Sequence, residues 1–152
     1  MNILTYARPV ILATLSSVWA HSISAAPLDA FRDLNRLIVM SLPQGPVGEK
    51  VVAALVLQRV KIDERDLKIL DVSEGAQRAA AGLRLNPKQI IALRQQFNLA
   101  AGEPRPFFIL VGKDGGEKAR QCGTLELEKF FDLIDEMPMR RQEIENQQKR
   151  NN

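Results

Sequence analysis

The sequence predicts an α/β domain: a mixed four-stranded sheet with helices on both faces, in the order β-α-β-α-β-β-α. Three observations carry that prediction. Pro106 to Gly116 reads Pro-Phe-Phe-Ile-Leu-Val-Gly-Lys-Asp-Gly-Gly. Its apolar run, Phe107 to Val111, leaves no polar face and so predicts a strand covered on both sides. Pro106 opens that strand where a missing N–H does least harm, and Asp114-Gly115 turns it back into a hairpin. A second unalternating run, Leu37-Ile38-Val39-Met40, predicts another covered strand. Finally, Leu127, Phe130, Phe131, Ile134 and Met137 fall at helical spacing and form a stripe fit to dock on a sheet.

Taken in order, Pro27 to Asn35 is a lead-in with room for a helical turn, placing Phe31 and Leu34 against the body. Arg36 to Leu42 is the first strand, ended by Pro43, and Gln44 to Gly48 is a loop. Glu49 to Val60 predicts a buried helix. Ala53 and Ala54 are poor strand residues, and Val47, Val51 and Leu55 share a helical face. Lys61 to Asp66 is a charged turn, and Leu67 to Val72 the second strand. Ser73 to Leu85, with Gly75 and Gly82, predicts irregular chain with a short helical piece. Asn86-Pro87 is a helix start, an N-cap followed by proline at the first helical position. That helix runs to about Phe97. After the turn at Lys113 to Gly116, Glu117 to Gln121 pairs back as a charged edge strand. Thr124 is the expected cap of the last helix, with Glu126 and Glu128 near its positive end and Pro138 kinking or ending it.

The first 26 residues stand apart. One positive charge at Arg8, a mostly apolar Pro9 to Ala20, and the small residues up to Ala26 make the three-part layout of a secretory signal. The expected cut falls after Ala25 or Ala26. The apolar part is shorter than the roughly twenty residues a membrane span needs. The expected organisation is a signal peptide at 1–26, one domain at 27–138, and a polar tail at 139–152 that frays. The expected location is the periplasm or the medium, with no membrane span after cleavage.

Cleavage changes the available chemistry. Tyr6, Trp19 and His21 all lie in the signal, so the processed chain has no histidine, tryptophan or tyrosine. Loss of histidine closes most general-base and transition-metal mechanisms together, so no metal and no cofactor are expected. Without Arg8 there are 20 basic residues against 18 acidic, a net charge of +2. That mild excess supports neither a nucleic-acid footprint nor strong membrane attraction. Cys122 is the single cysteine and forms no disulfide within its own chain.

A strand-helix-strand unit requires a parallel pair and the later hairpin an antiparallel one. That element order is the thioredoxin-like arrangement. Arg36-Leu37-Ile38-Val39, Arg65-Asp66-Leu67, Phe108 to Gly116, and Ile134-Asp-Glu-Met-Pro-Met-Arg-Arg141 together resemble a bacterial exported family, the domain of unknown function DUF4174. Similar domains occur in animal sushi-repeat and coiled-coil-domain-containing extracellular proteins. The resemblance implies a thioredoxin-like fold without an assigned activity. Redox thioredoxins carry a Cys-x-x-Cys pair after the first strand, where a helix N-terminus lowers a thiol's pKa. Here Leu42-Pro-Gln-Gly-Pro-Val-Gly48 holds that place with no cysteine. Pro106 matches the position where thioredoxins keep a cis proline.

The expected function is therefore a non-catalytic module that binds a protein or a small acidic partner. Its candidate surfaces are Pro43 and Gln44 with Pro106, the turn residues Lys113 and Asp114, and the cations Arg140 and Arg141. Met137 and Met139 flanking Pro138 add soft contact area to those arginines. The bland readings are a hairpin turn for Lys113 to Gly116 and a helix end for Met137 to Arg141. Asp63, Glu64 and Asp66 read as a solvated loop, without calcium-loop spacing. Cys122 has two readings: a small hydrophobe inert by burial beneath the hairpin, or the thiol of a single-cysteine redox or peroxide-handling protein.

Overall fold

The computed structural model describes residues 28–73, 85–100, 102 and 104–151. The predicted signal and most of the irregular stretch between Ser73 and Leu85 lie outside them. A four-stranded sheet has the order β2-β1-β3-β4, built from β1 (Arg36–Ser41), β2 (Leu67–Asp71), β3 (Phe107–Val111) and β4 (Glu117–Cys122). β1 pairs in parallel with β2 and antiparallel with β3, and the β3–β4 hairpin is antiparallel. The apolar runs are the two central strands. Their alternate residues enter two separate cores, which is why neither strand alternates in polarity.

One face holds Ile38, Met40, Ile69, Phe108 and Leu110 under Leu55, Ile62, Leu127, Phe130, Phe131 and Ile134. These come from α1 (Pro46–Leu57), α2 (Arg59–Glu64) and α4 (Leu127–Asp135). The other face packs Leu37, Val39, Leu70, Val72, Ile109 and Val111 against Leu93 and Phe97 at α3 (Pro87–Gln96) and against Leu28. Phe31, in the short 3-10 turn Asp29–Phe31, is half-buried on this core. Leu34, expected to pack beside it, is instead 65% exposed.

Local signals explain the helix starts. Asn86 and Gln89 form a reciprocal capping box, each side chain bonded to the other's backbone N–H. Thr124 does not cap α4. Gln121 on β4 takes that role, accepting from the Glu126 N–H at 2.8 Å and donating to its carbonyl at 3.1 Å. α1 begins at Pro46, earlier than expected, behind Gly45 at φ 89°. It is not a buried helix either. Leu55 is buried, but Val47, Val56, Leu57 and Val60 face water. The expected charged turn is α2, joined to α1 through Gln58, whose N–H bonds Ala54 and whose carbonyl accepts from Ile62.

The polar tail is also corrected. Pro138 ends α4 but starts α5 (Pro138–Asn151), a helix of 14 residues with no apolar stripe. Its hold on the body is electrostatic.

Candidate functional site

The strand directions divide the sequence-predicted site residues between the two ends of the sheet. Phe107 pairs with Ser41 and Val111 with Leu37, so Pro106 lies with Pro43 and Gln44 while Lys113 lies beside Arg36. The two groups sit roughly 15 Å apart, the length of a five-residue strand at about 3.3 Å per residue. They do not form one surface.

At the first end, Pro43 is half-buried, Gln44 exposed and Pro106 buried behind a trans peptide bond. The Pro106 carbonyl accepts from the Gly123 N–H at 2.8 Å. Beneath them lies a polar cluster. Ser73 Oγ accepts from the Leu42 N–H at 2.7 Å and donates to Asp71 Oδ1 at 2.5 Å, and the Ser73 N–H bonds the same oxygen at 2.9 Å. Asp71 is 5% exposed and its Oδ2 is buried without a partner. Arg94 reaches over from α3, donating to Ser41 Oγ at 3.2 Å, to the Val72 carbonyl at 3.0 Å and to the Ala100 carbonyl. Cys122 pairs in register with Phe107 and so shares this end, but it is exposed. Burial therefore does not make it inert.

The second end is a dense ion network. Arg36 opens β1 with its side chain 1% exposed and forks onto Glu143 of α5 at 3.1 and 3.2 Å. Lys113, 9% exposed, donates to Glu143 at 2.7 Å and to Asp66 at 2.8 Å. Arg140 lies 3.6 Å from Glu143 and 3.3 Å from Asp135. Arg65 bonds Asp135 at 2.5 Å and stacks 4.6 Å above the Phe131 ring. Burial opposes ionisation of Glu143, yet the hydrogen bonds and charges of Arg36 and Lys113 outweigh it and hold its carboxyl below the usual glutamate value. Asp66 takes a left-handed backbone at φ 49°, a conformation aspartate tolerates, and its carbonyl caps Arg36 N at 3.0 Å.

Arg140 is thus buried and partnered, the reverse of the exposed contact surface expected of it, while Arg141 is exposed. Asp114 belongs to the hairpin: it accepts from Lys118 at 2.6 Å and from the Gly116 N–H at 3.1 Å, and the Lys118 hydrogen bond leads in lowering its pKa. Sequence reasoning missed Glu143. The available signal was Arg36 itself, since a guanidinium at the head of a covered strand demands a carboxylate. An open cleft of about 610 Å³ adjoins the network, lined by Asp66, Glu143, Asn146, Gln147, Lys149 and Arg150.

A third feature is the outer face of α1 and α2. Ala53, Val56, Leu57 and Val60 follow the i, i+3, i+4, i+7 pattern, but on the solvent side. Leu57 is 85% and Val60 71% exposed. Among the described residues, no group of three or more His, Cys, Asp or Glu side chains is placed to hold a metal, and no helix is long and apolar enough to cross a membrane.

The strand order and two-sided packing define a thioredoxin-like α/β protein. Solved structures agree with this fold. The reduced 2-Cys peroxiredoxin of Plasmodium vivax aligns with a TM-score of 0.57 at 14% identity, over 71% of this chain and 68% of that one. The thioredoxin peroxidase I of Plasmodium yoelii gives 0.52 at 18%, over 71% and 75%. AhpC of Mycobacterium tuberculosis gives 0.51 at 17%, over 70% and 71%. No curated protein matches the sequence. The model of the domain of unknown function DUF4174 matches residues 27–143, and the chain belongs to that family. The match runs past Pro138, where the domain was expected to end, and reaches Glu143.

Proposed function

We propose that the chain is an exported, non-catalytic thioredoxin-like module that binds a protein partner through the outer face of α1 and α2, in the periplasm or after secretion. One observation carries the reading. The loop Leu42 to Gly48, where the resemblance puts a dithiol, has neither thiol nor hydroxyl, while the two helices that follow leave Val56 and Leu57 of α1 and Val60 of α2 in water. A contiguous exposed apolar stripe marks an interaction surface. Its flanking charges, Glu49, Lys50, Arg59, Asp63 and Glu64, are of both signs. That suits the polar rim of a protein interface, whereas an anionic membrane selects a basic flank.

The test is a photo-crosslinking residue at position 57 of the full chain, expressed in the cells that make it. A discrete adduct with another protein is expected, lost on Val60→Asp and absent when the crosslinker replaces Glu145 on α5. Adducts only with lipid, or only with a second copy, would refute the reading. Export is checked by the mass of the processed N-terminus, expected at Ala26 or Pro27, in the periplasm or medium.

The exposure of Cys122 at the Pro43 end of the sheet favours a second reading, a single-cysteine redox or peroxide-handling protein. Peroxide consumption by the processed protein that disappears in Cys122→Ser would establish it, and equal rates in the two proteins would remove it.

A further inference from the structure

The four sequence blocks that carry the family resemblance each deliver charge to one place: Arg36, Arg65 with Asp66, Lys113, and Asp135 with Arg140. A planar guanidinium fork beside an ammonium is the arrangement that recognises a carboxylate. Here Glu143 fills it, held at 3.1 and 3.2 Å by Arg36 and at 2.7 Å by Lys113. Even so, the buried Nε of Arg36 has no partner, so one donor of the cradle is unmet.

The helix that supplies Glu143 is lightly held. Between Pro138 and Arg150 only Arg140 is buried, Glu143 and Ile144 are half-buried, and the rest are exposed. An element with so little buried apolar surface opens at lower free energy than the core.

We infer that Arg36, Lys113 and Arg140 form a carboxylate-binding site, that Glu143 occupies it in cis, and that α5 is a strap which an incoming carboxylate ligand displaces. This site is made of other residues than the α1–α2 face and does not rest on the reading given for that face. A tethered ligand competes at an effective concentration in the millimolar range, so the intact chain binds free carboxylates more weakly than a chain lacking the tethered one.

The experiment uses the full processed chain with succinate as the probe. Glu143→Ala is expected to bind succinate at least about tenfold more tightly than the wild type, by calorimetry and by a rise in melting temperature. Arg36→Met combined with Glu143→Ala is expected to abolish both signals. A folded Glu143→Ala whose response matches sodium chloride at equal ionic strength would overturn the proposal, as would equal responses in wild type and variant. A response to inorganic phosphate and not to succinate would overturn the carboxylate assignment. Should Glu143→Ala fail to fold, amide exchange in the wild type decides. Succinate is expected to speed exchange across residues 141–150, and unchanged exchange at saturating succinate would overturn the strap.

Discussion

Glu143→Gln keeps the size of the side chain and removes one charge at the point where three cations meet. Its cost follows from what each neighbour retains. Lys113 keeps Asp66 at 2.8 Å and Arg140 keeps Asp135 at 3.3 Å. Arg36 keeps only the Arg65 carbonyl at 3.0 Å, with its side chain 1% exposed. Removing one partner of a buried pair costs about 3–5 kcal/mol. Glu143 is 22% exposed and the amide oxygen still accepts one bond, so about 2–3 kcal/mol is expected here. Arg36→Met is the milder change, about 1 kcal/mol, because Glu143 then keeps Lys113 at 2.7 Å and Arg140 at 3.6 Å. With methionine at 36 there is no buried cation to strand. The double variant is therefore expected to lie near Arg36→Met alone, a coupling of about 2–3 kcal/mol. At about 4 °C per kcal/mol for a domain of this size, the melting temperature falls by about 10 °C in Glu143→Gln and about 4 °C in Arg36→Met. Circular-dichroism melts and urea titrations of the four proteins read the cycle. Strict additivity, or a larger loss in Arg36→Met, would refute the assignment of Glu143 as the counterion Arg36 depends on.

Acid should act on the same carboxylate. The folded pKa of Glu143 lies below the ordinary value of 4.5, so the unfolded chain binds that proton first; its stabilisation is complete above 4.5 and is lost as pH falls through the folded value. Melting temperature should drop more steeply between about pH 5.5 and 3 in the wild type than in Glu143→Gln, and parallel slopes would count against the linkage. Phe131→Ala removes a ring 1% exposed and stacked under Arg65, and should cost about 4 kcal/mol by urea titration. Gly115→Ala places a side chain at φ 80° with its Cβ 3.3 Å from Arg32 Nη2. It should cost about 1–2 kcal/mol, and a neutral result would mean that the turn relaxes.

The strands were legible because β1 and β3 are covered on both faces, and only apolar residues satisfy that. The stripe of α4 and the Asn86 cap were legible for equally local reasons. The outer face of α1 was not, because Val56 and Leu57 look like core residues in composition and nothing local says which side of a helix has cover. α5 has no periodic stripe, being held by charge, so hydrophobic spacing is blind to it. Lys113 read as a turn residue because its partners are remote, Asp66 standing 47 and Glu143 30 positions away, and the separation of Arg36 from Glu143 is 107. Cys122 was expected beneath the hairpin, but β4 is the last strand of the sheet and leaves it in water.

β1 is made first yet sits in the middle of the sheet, with β2 on one side and β3 on the other. One edge of Leu37 to Met40 stays unpaired in a growing chain until Phe107 to Val111 has been synthesised, and the guanidinium of Arg36 lacks its carboxylate partner until residue 143 arrives. The last fastening of that strand thus comes 107 residues downstream of it. A fragment that stops before Glu143 would therefore hold all four strands of the described sheet and still lack the counterion of the first.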